Sequence, residues 1–224
     1  MTSARSIVSL LPKTCADKDA WNKIISQHKE FRLQSLIIAP HAYSSSYECE
    51  SRFEWNVWEN RLKNPDASTF VAFDSKVAQS AEELKQHKLL EQSWSGMLVL
   101  VGPSERAMTS DYSTSISTER KQHDYVCNTF FDFRLNAMFI ISEARRSGLG
   151  MALIEAAIAH GKTTSEDRGI TSTRFTAFVN RENHAAICLY QKAGFKVITE
   201  KEDTGVGVDR YARGKPTTLM EMWI

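Results

Sequence analysis

Apolar and polar positions change period several times along the chain. Residues 6–11 read as a first strand. From 17 to 38, Trp21, Ile24, Ile25, His28, Leu33, Leu36 and Ile37 recur at roughly helical spacing, and Pro40 ends the run. A polar-aromatic loop follows at 42–47, with serines able to cap what comes next. Residues 48–62 then predict a second helix, with Phe53, Trp55, Trp58 and Leu62 among its apolar positions, stopped at Asn64-Pro65-Asp66. Residues 68–73 and 95–101 predict two strands, antiparallel to each other. Between them lies a polar, helix-like insertion at 80–91, and after them a long loop rich in Ser and Thr at 102–124, of a length usual only for functional or disordered segments. The last third predicts a strand at 135–141, a helix from 151 to 160, a longer-than-usual insertion at 162–168, a strand at 174–179 and a helix at 183–193 closed by Gly194. Short strands at 195–199 and 218–223 finish the chain. Strand, helix and strand make a βαβ unit, so 135–141 and 174–179 should be parallel. Periodicity alone gives a mixed α/β protein.

Composition narrows the class. The chain has 224 residues, 42% apolar and 25% charged, ordinary for a globular protein with a substantial core. Lys plus Arg number 28 against 27 acidic residues, a net charge of +1, which gives no support to a nucleic-acid or membrane-surface role. No apolar run nears the ~20 residues that span a bilayer, and the apolar patch at 7–11 is too short for a signal sequence. Cys15, Cys49, Cys127 and Cys188 show neither a C-x-x-C pair nor zinc spacing, so free thiols, no metal and a cytoplasmic location, nuclear not excluded, are expected. With no repeat and no long linker, residues 1–224 read as one domain.

The chemistry centres on Ser142-Glu-Ala-Arg-Arg-Ser-Gly-Leu-Gly-Met151, between an apolar strand and an apolar-periodic helix. Gly148 and Gly150 let the backbone turn and approach a ligand closely. The first amides of the helix have no intrahelical partner and carry the positive end of its dipole; Arg145 and Arg146 add two charges. That is a site for phosphate or pyrophosphate. The Gly-Lys-Ser/Thr ending of a nucleotide P-loop is missing.

Some thirty residues on comes Asn183-His-Ala-Ala-Ile-Cys-Leu-Tyr-Gln-Lys-Ala-Gly-Phe195. Arg145-x-x-Gly148-x-Gly150 resembles the acyl-CoA pyrophosphate loop of the GCN5-related N-acetyltransferases, the GNAT superfamily, and Asn183-x-x-Ala186-x-x-Leu189-Tyr190-x-x-x-Gly194-Phe195 resembles the second half of the same fold. A softer resemblance, Arg32-Leu-x-x-Leu36 and Pro40-x-Ala42-Tyr43-Ser-Ser-Ser-Tyr47-Glu48, is to the helix–loop–helix acceptor wall of small-molecule and amino-group acetyltransferases. Ser142 stands where many members have Pro, and Arg146 where many have Gly; neither removes the glycine turn. The resemblance implies a mixed α+β fold: a central, mostly antiparallel sheet with a V-shaped splay between the fourth and fifth strands, flanked by helices.

It also implies acetyl-CoA as cofactor and a division of roles. The amides of Arg146, Ser147, Gly148, Leu149, Gly150 and Met151 would hold the pyrophosphate with Arg145 and Arg146 assisting. Phe139, Ile140 and Ile141 would border the pantetheine arm, the amide of Ile140 or Ile141 serving the thioester carbonyl. Asn183 and Ala186 would contact the cofactor, and Tyr190, whose phenol has a reference pKa of ~10, would be the general acid. Glu48 is taken as the base, with Glu50, His123, Asp124 and Glu143 also candidates. Tyr43, Tyr47 and Trp58 would line the acceptor pocket, though aromatics in an amphipathic helix also make ordinary core. Cys188 carries no recognisable base, which disfavours a covalent route. The expected reaction is direct acetyl transfer to a primary amine of a small molecule by a monomer or homodimer. A protein or peptide acetyltransferase and an inactive acyl-CoA-binding sensor are the alternatives.

Overall fold

The computed structural model describes residues 7–73, 93–107, 129–201 and 216–224. Strand β1 (Ile7–Leu10) leads to helix α1 (Lys18–Ile38), whose first amides at Asp19 and Ala20 donate to the Asp17 carboxylate. A single 3₁₀ turn, Pro40–Ala42, precedes the short helix α2 (Tyr47–Glu50), capped by Ser46, and then α3 (Trp55–Lys63). Strands β2 (Ala67–Phe73), β3 (Gly96–Ala107) and β4 (Thr129–Ile140) follow, then α4 (Leu149–Asp167), β5 (Thr173–Asn180), α5 (His184–Lys192), β6 (Lys196–Lys201) and β7 (Thr217–Trp223).

All seven strands form one sheet in the order β1-β2-β3-β4-β5-β7-β6. Only β4 and β5 pair in parallel. Alternate residues of β2 show how the two faces are served. Phe70 and Ala72 pack with Leu153, Ile154 and Ala157 of α4 and with Tyr190 of α5; Val71 and Phe73 pack with Ile24, Ile25, Leu36, Trp58 and Leu62 of α1 and α3. The sheet is therefore held between α1/α3 and α4/α5.

Several elements differ from the sequence reading. The helix expected over 48–62 is broken between Glu50 and Trp55, because Phe53 folds back against Trp58 (5.9 Å between ring centroids) and beneath the Arg61 guanidinium. Strand β3 continues to Ala107, so the first part of the expected 102–124 loop is sheet; the rest of that loop and the insertion expected at 80–91 lie outside the described residues. Strand β4 starts at Thr129 rather than 135. Its charged residues are accommodated inside the sheet: Arg174 Nε and Nη2 donate to the two oxygens of Asp132 at 2.9 and 3.0 Å, directly across the β4–β5 pair. Helix α4 runs to Asp167, so residues 162–167 are helix and not an inserted loop. Gly161 inside it lies against the sheet, where a Cβ would sit 2.6 Å from the Phe175 ring.

The decisive feature is where β4 and β5 part. They pair from Phe131↔Thr173 to Leu135↔Ala177 and no further. Beyond that point β4 stays with β3, through Asn136, Phe139 and Ile140, while β5 stays with β7, through Phe178, Val179 and Asn180. A bulge drives the divergence. The β3–β4 register shifts between Met97↔Phe139 and Val99↔Asn136, inserting one residue into β4, and Ala137 takes φ 52 there. This is the V-shaped splay between the fourth and fifth strands.

Candidate active site

The splay opens into a cleft of about 1290 Å³, roomier than the ~300–1,000 Å³ usual for small-ligand sites. Strands β4 and β5, the turn before α4, one face of α5 and the α1–α2 region surround it.

Antiparallel register fixes which backbone groups β4 offers it. The Ile141 amide donates to the Ser95 carbonyl at 3.0 Å, so Gly96 and Ile140 are a non-hydrogen-bonded pair whose N–H and C=O groups point away from each other. Ile140 and Met138 thus turn their backbone groups toward the splay, while Ile141 is committed to β3. Of the two amides expected to serve a thioester carbonyl, that of Ile140 faces the splay and that of Ile141 does not, so Ile141 is corrected on this geometry. The carbonyls on the splay side already have partners: Arg145 Nε donates to Ile140 O at 3.1 Å, and the Tyr43 hydroxyl donates to Met138 O at 3.1 Å.

At the glycine turn, Arg146 has φ 62 and Gly148 φ 89, two left-handed residues that swing the chain into α4. The first intrahelical bond runs from Ala152 N–H to Gly148 O, leaving the amides of 149–151 without a partner in the helix. Ser147 donates from Oγ to Ala144 O at 2.5 Å, which holds the turn from inside. Gly150 lets α5 approach: a Cβ there would lie 2.9 Å from Leu189 Cδ2 and 3.2 Å from Met138 Cε. The side chains of Arg145 and Arg146 line the cleft beside this turn.

Phe139, Ile140, Arg145, Arg146, Gly148, Gly150, Met151, Asn183, Ala186 and Tyr190 all border the cleft. Ser147, Leu149 and Ile141 do not line it with side chains, and Leu149 is core. The Asn183 side chain caps α5, its Oδ1 accepting from Ala186 N–H at 3.1 Å. Tyr190, 4% exposed, packs edge-on against Phe195 at 5.2 Å, and burial, with neighbouring Tyr43 adding to it, raises its phenol well above the ordinary value.

The acceptor side corrects more of the sequence reading. Tyr43 lines the cleft, buried, with the Arg32 guanidinium 4.5 Å above its ring. Trp58 does not: it is fully buried in the core between α1, α3 and the sheet. Tyr47 and Glu48 are exposed at the start of α2 and lie outside the lining; the Glu48 carboxylate is held below its usual pKa by its own backbone amide and the Ser46 hydroxyl. Glu143 is exposed and outside the lining, and His123 and Asp124 lie outside the described residues. Glu50 does reach the cleft, but both of its oxygens are engaged. Arg32 Nη2 donates to Oε1 at 2.7 Å; Arg32 Nε and Arg61 Nη1 donate to Oε2 at 3.1 and 2.7 Å. Burial alone would raise its pKa, yet the hydrogen bonds and charges of the two arginines bring it down to about 2. It is an ionised strut, not a proton acceptor near neutrality. Arg61, Arg134, His41, Phe178 and Asn180 also line the cleft, and none was singled out from sequence. The Asn180 amide donates to the His41 carbonyl at 2.9 Å, tying β5 to the turn after α1.

Residues 116–197 match the family model for the acetyltransferase (GNAT) domain. No curated protein matches the sequence. Solved structures align over nearly the whole chain. NAA60 of Arabidopsis thaliana in complex with acetyl-CoA is 14% identical, with 97% of this chain and 99% of that one covered and a TM-score of 0.55. A GNAT-family acetyltransferase from Streptococcus pneumoniae is 17% identical, with 98% and 99% covered and a TM-score of 0.53. At such identities the likeness shows the fold alone. The matched segment spans the glycine turn, β5 and α5, and the chain shares the fold of the aligned acetyltransferases, one of them solved with the cofactor acetyl-CoA. The residues present fit that cofactor: unpaired helix amides and two arginines suit a pyrophosphate, and the splay-side backbone of Met138 and Ile140 suits an amide-bearing arm.

Proposed function

We propose that the protein transfers an acetyl group from acetyl-CoA directly to the primary amine of a small molecule within a ternary complex. One arrangement carries this reading: the splay, the glycine turn and the Tyr190 phenol border a single cleft. The buried recess formed by Arg32, Tyr43 and Glu50 at its acceptor side supports a compact substrate.

When bound, acetyl-CoA would supply a thioester whose acyl carbon forms a C–N bond with the amine nitrogen as the C–S bond breaks and its electron pair goes to sulfur. The amides of 149–151, with Arg145 and Arg146, would hold the phosphates at the mouth of α4. The Ile140 N–H, unpaired on the splay side, is aimed to stabilise charge developing on the carbonyl oxygen. The Tyr190 phenol, kept protonated by burial, donates its proton to the departing sulfur. Among the described residues Glu50 is the one acidic residue in the lining and is fully paired, so the amine's proton would pass to water in the cleft. Positioning of this kind accounts for up to about 7–11 kcal/mol of barrier in favourable cases.

Free-thiol release from acetyl-CoA, measured over a panel of primary amines, tests the reading. Tyr190→Phe is expected to lower kcat by about 100-fold while calorimetry shows the acetyl-CoA Kd unchanged. An unaltered kcat would remove Tyr190 from the acid role.

A further inference from the structure

The cleft is one-sided in charge. Among the described residues, six Lys or Arg side chains line it (Arg32, Arg61, Arg134, Arg145, Arg146 and Lys192) against the single carboxylate of Glu50. Arg145 and Arg146 stand at the glycine turn, where the cofactor's phosphates belong. Arg32 and Arg61 stand at the other side, on α1 and α3, where no phosphate of the cofactor is called for. A polyamine or other multiply cationic acceptor would meet repulsion here instead of the acidic lining it needs.

Two guanidiniums share one carboxylate at this place. Glu50 is 1% exposed and spans them with three hydrogen bonds, so the cluster carries one uncompensated positive charge. Arg32 is 9% exposed, and among the described residues its Nη1 has no hydrogen-bond partner. A buried guanidinium nitrogen left unpaired costs free energy unless a ligand completes it. Neighbouring His28 adds no charge near neutrality, since burial, then Arg61 and Arg32, depress its pKa to about 3. Arg61 keeps 36% of its side chain exposed while its plane lies over Trp58 at 4.8 Å and Phe53 at 5.1 Å, so it is oriented yet accessible. The cluster is also tied to the reacting centre. Arg32 lies on the Tyr43 ring, and the Tyr43 hydroxyl is bonded to Met138 O at the splay.

Resting on the acetyltransferase reading above, we infer that the acceptor is an amino acid, its carboxylate held by Arg32 and Arg61 while its amine faces the splay. A planar guanidinium fork suits a carboxylate, and Glu50 holds the two arginines side by side to present it.

The test compares free amino acids, including 4-aminobutyrate, with their carboxamides and with phosphoethanolamine as acceptors for acetyl-CoA. Wild type and Arg61→Gln are each assayed by thiol release and by calorimetry. Free amino acids are expected to give kcat/KM at least ~10-fold above their carboxamides, the scale of one charged contact. Arg61→Gln should raise KM for the acids about 10-fold, leave KM for the carboxamides and the Kd for acetyl-CoA unchanged, and be partly rescued by Arg61→Lys. Arg61 is chosen over buried Arg32, whose removal would strand Glu50. Equal use of acids and amides, equal losses on both in the variant, preference for phosphoethanolamine, or no amino acid turned over by CoA-binding protein would each overturn the inference while leaving the cofactor site standing. Failure to bind CoA at all would overturn the acetyltransferase reading with it.

Discussion

Glu48 and Glu50 show at the scale of single residues how one short helix separates two carboxylates that look alike in sequence. Two positions apart on α2, they point to different sides. One is fully exposed at the helix start; the other is buried between two arginines. The same geometry sets acid stability. The Glu50 pKa is lowered from 4.5 to about 2, so the stability it contributes is full above pH 4.5 and is lost as pH falls toward 2. The His28 pKa is lowered from 6.5 to about 3, so the unfolded chain takes up that proton first and stability already declines as pH falls below 6.5. Thermal melts should therefore drop in two stages on acidification. His28→Gln should flatten the stage between pH 6.5 and 4.5, and a profile unaffected by that substitution would disprove the buried neutral imidazole.

At the scale of elements, the glycine turn, the parallel β4–β5 pair and the α5 motif were legible because each rests on a local signal: glycine spacing, an apolar run, the Asn183–Tyr190–Gly194 spacing. What was not legible rests on distant partners. Strand β4 hid its first six residues behind Asp132 and Arg134, whose charges interrupt the apolar run until Arg174 is seen across the pair. Helix α4 ran on past residue 160, where the sequence reading stopped, because Gly161 is demanded by Phe175 and not by a turn. Trp58 fitted an acceptor pocket by its helical spacing as well as it fits the core. Gly161→Ala would gain up to about 1 kcal/mol of helix propensity. It must also place a methyl 2.6 Å from the Phe175 ring, an overpacking cost of about 1–3 kcal/mol. Denaturant unfolding is expected to show a net loss of stability; a gain would mean that α4 moves off the sheet freely.

At the scale of the whole molecule, the sheet is a frame that is deliberately incomplete at one place. Five parallel pairs join its two halves, the bulge at Ala137 turns β4 away, and the backbone groups left unpaired face the cleft that the α4 turn closes at one end. The helices α1 to α3, whose sequence carried the softer signals, close the other end, so the acceptor side was the less legible half. No helix of the described residues is long and apolar enough to cross a membrane. The measurement that tests this account most directly is titration calorimetry of the protein with acetyl-CoA, CoA and ATP, repeated on Gly148→Val. At φ 89, Gly148 holds a conformation that a β-branched residue resists. Both CoA species should bind the wild type and ATP should not, and the variant should lose at least about 10-fold in affinity, the equivalent of ~1.4 kcal/mol, while its circular dichroism stays native. Absence of CoA binding, or binding that Gly148→Val leaves untouched, would contradict the assignment of the splay and glycine turn as the cofactor site.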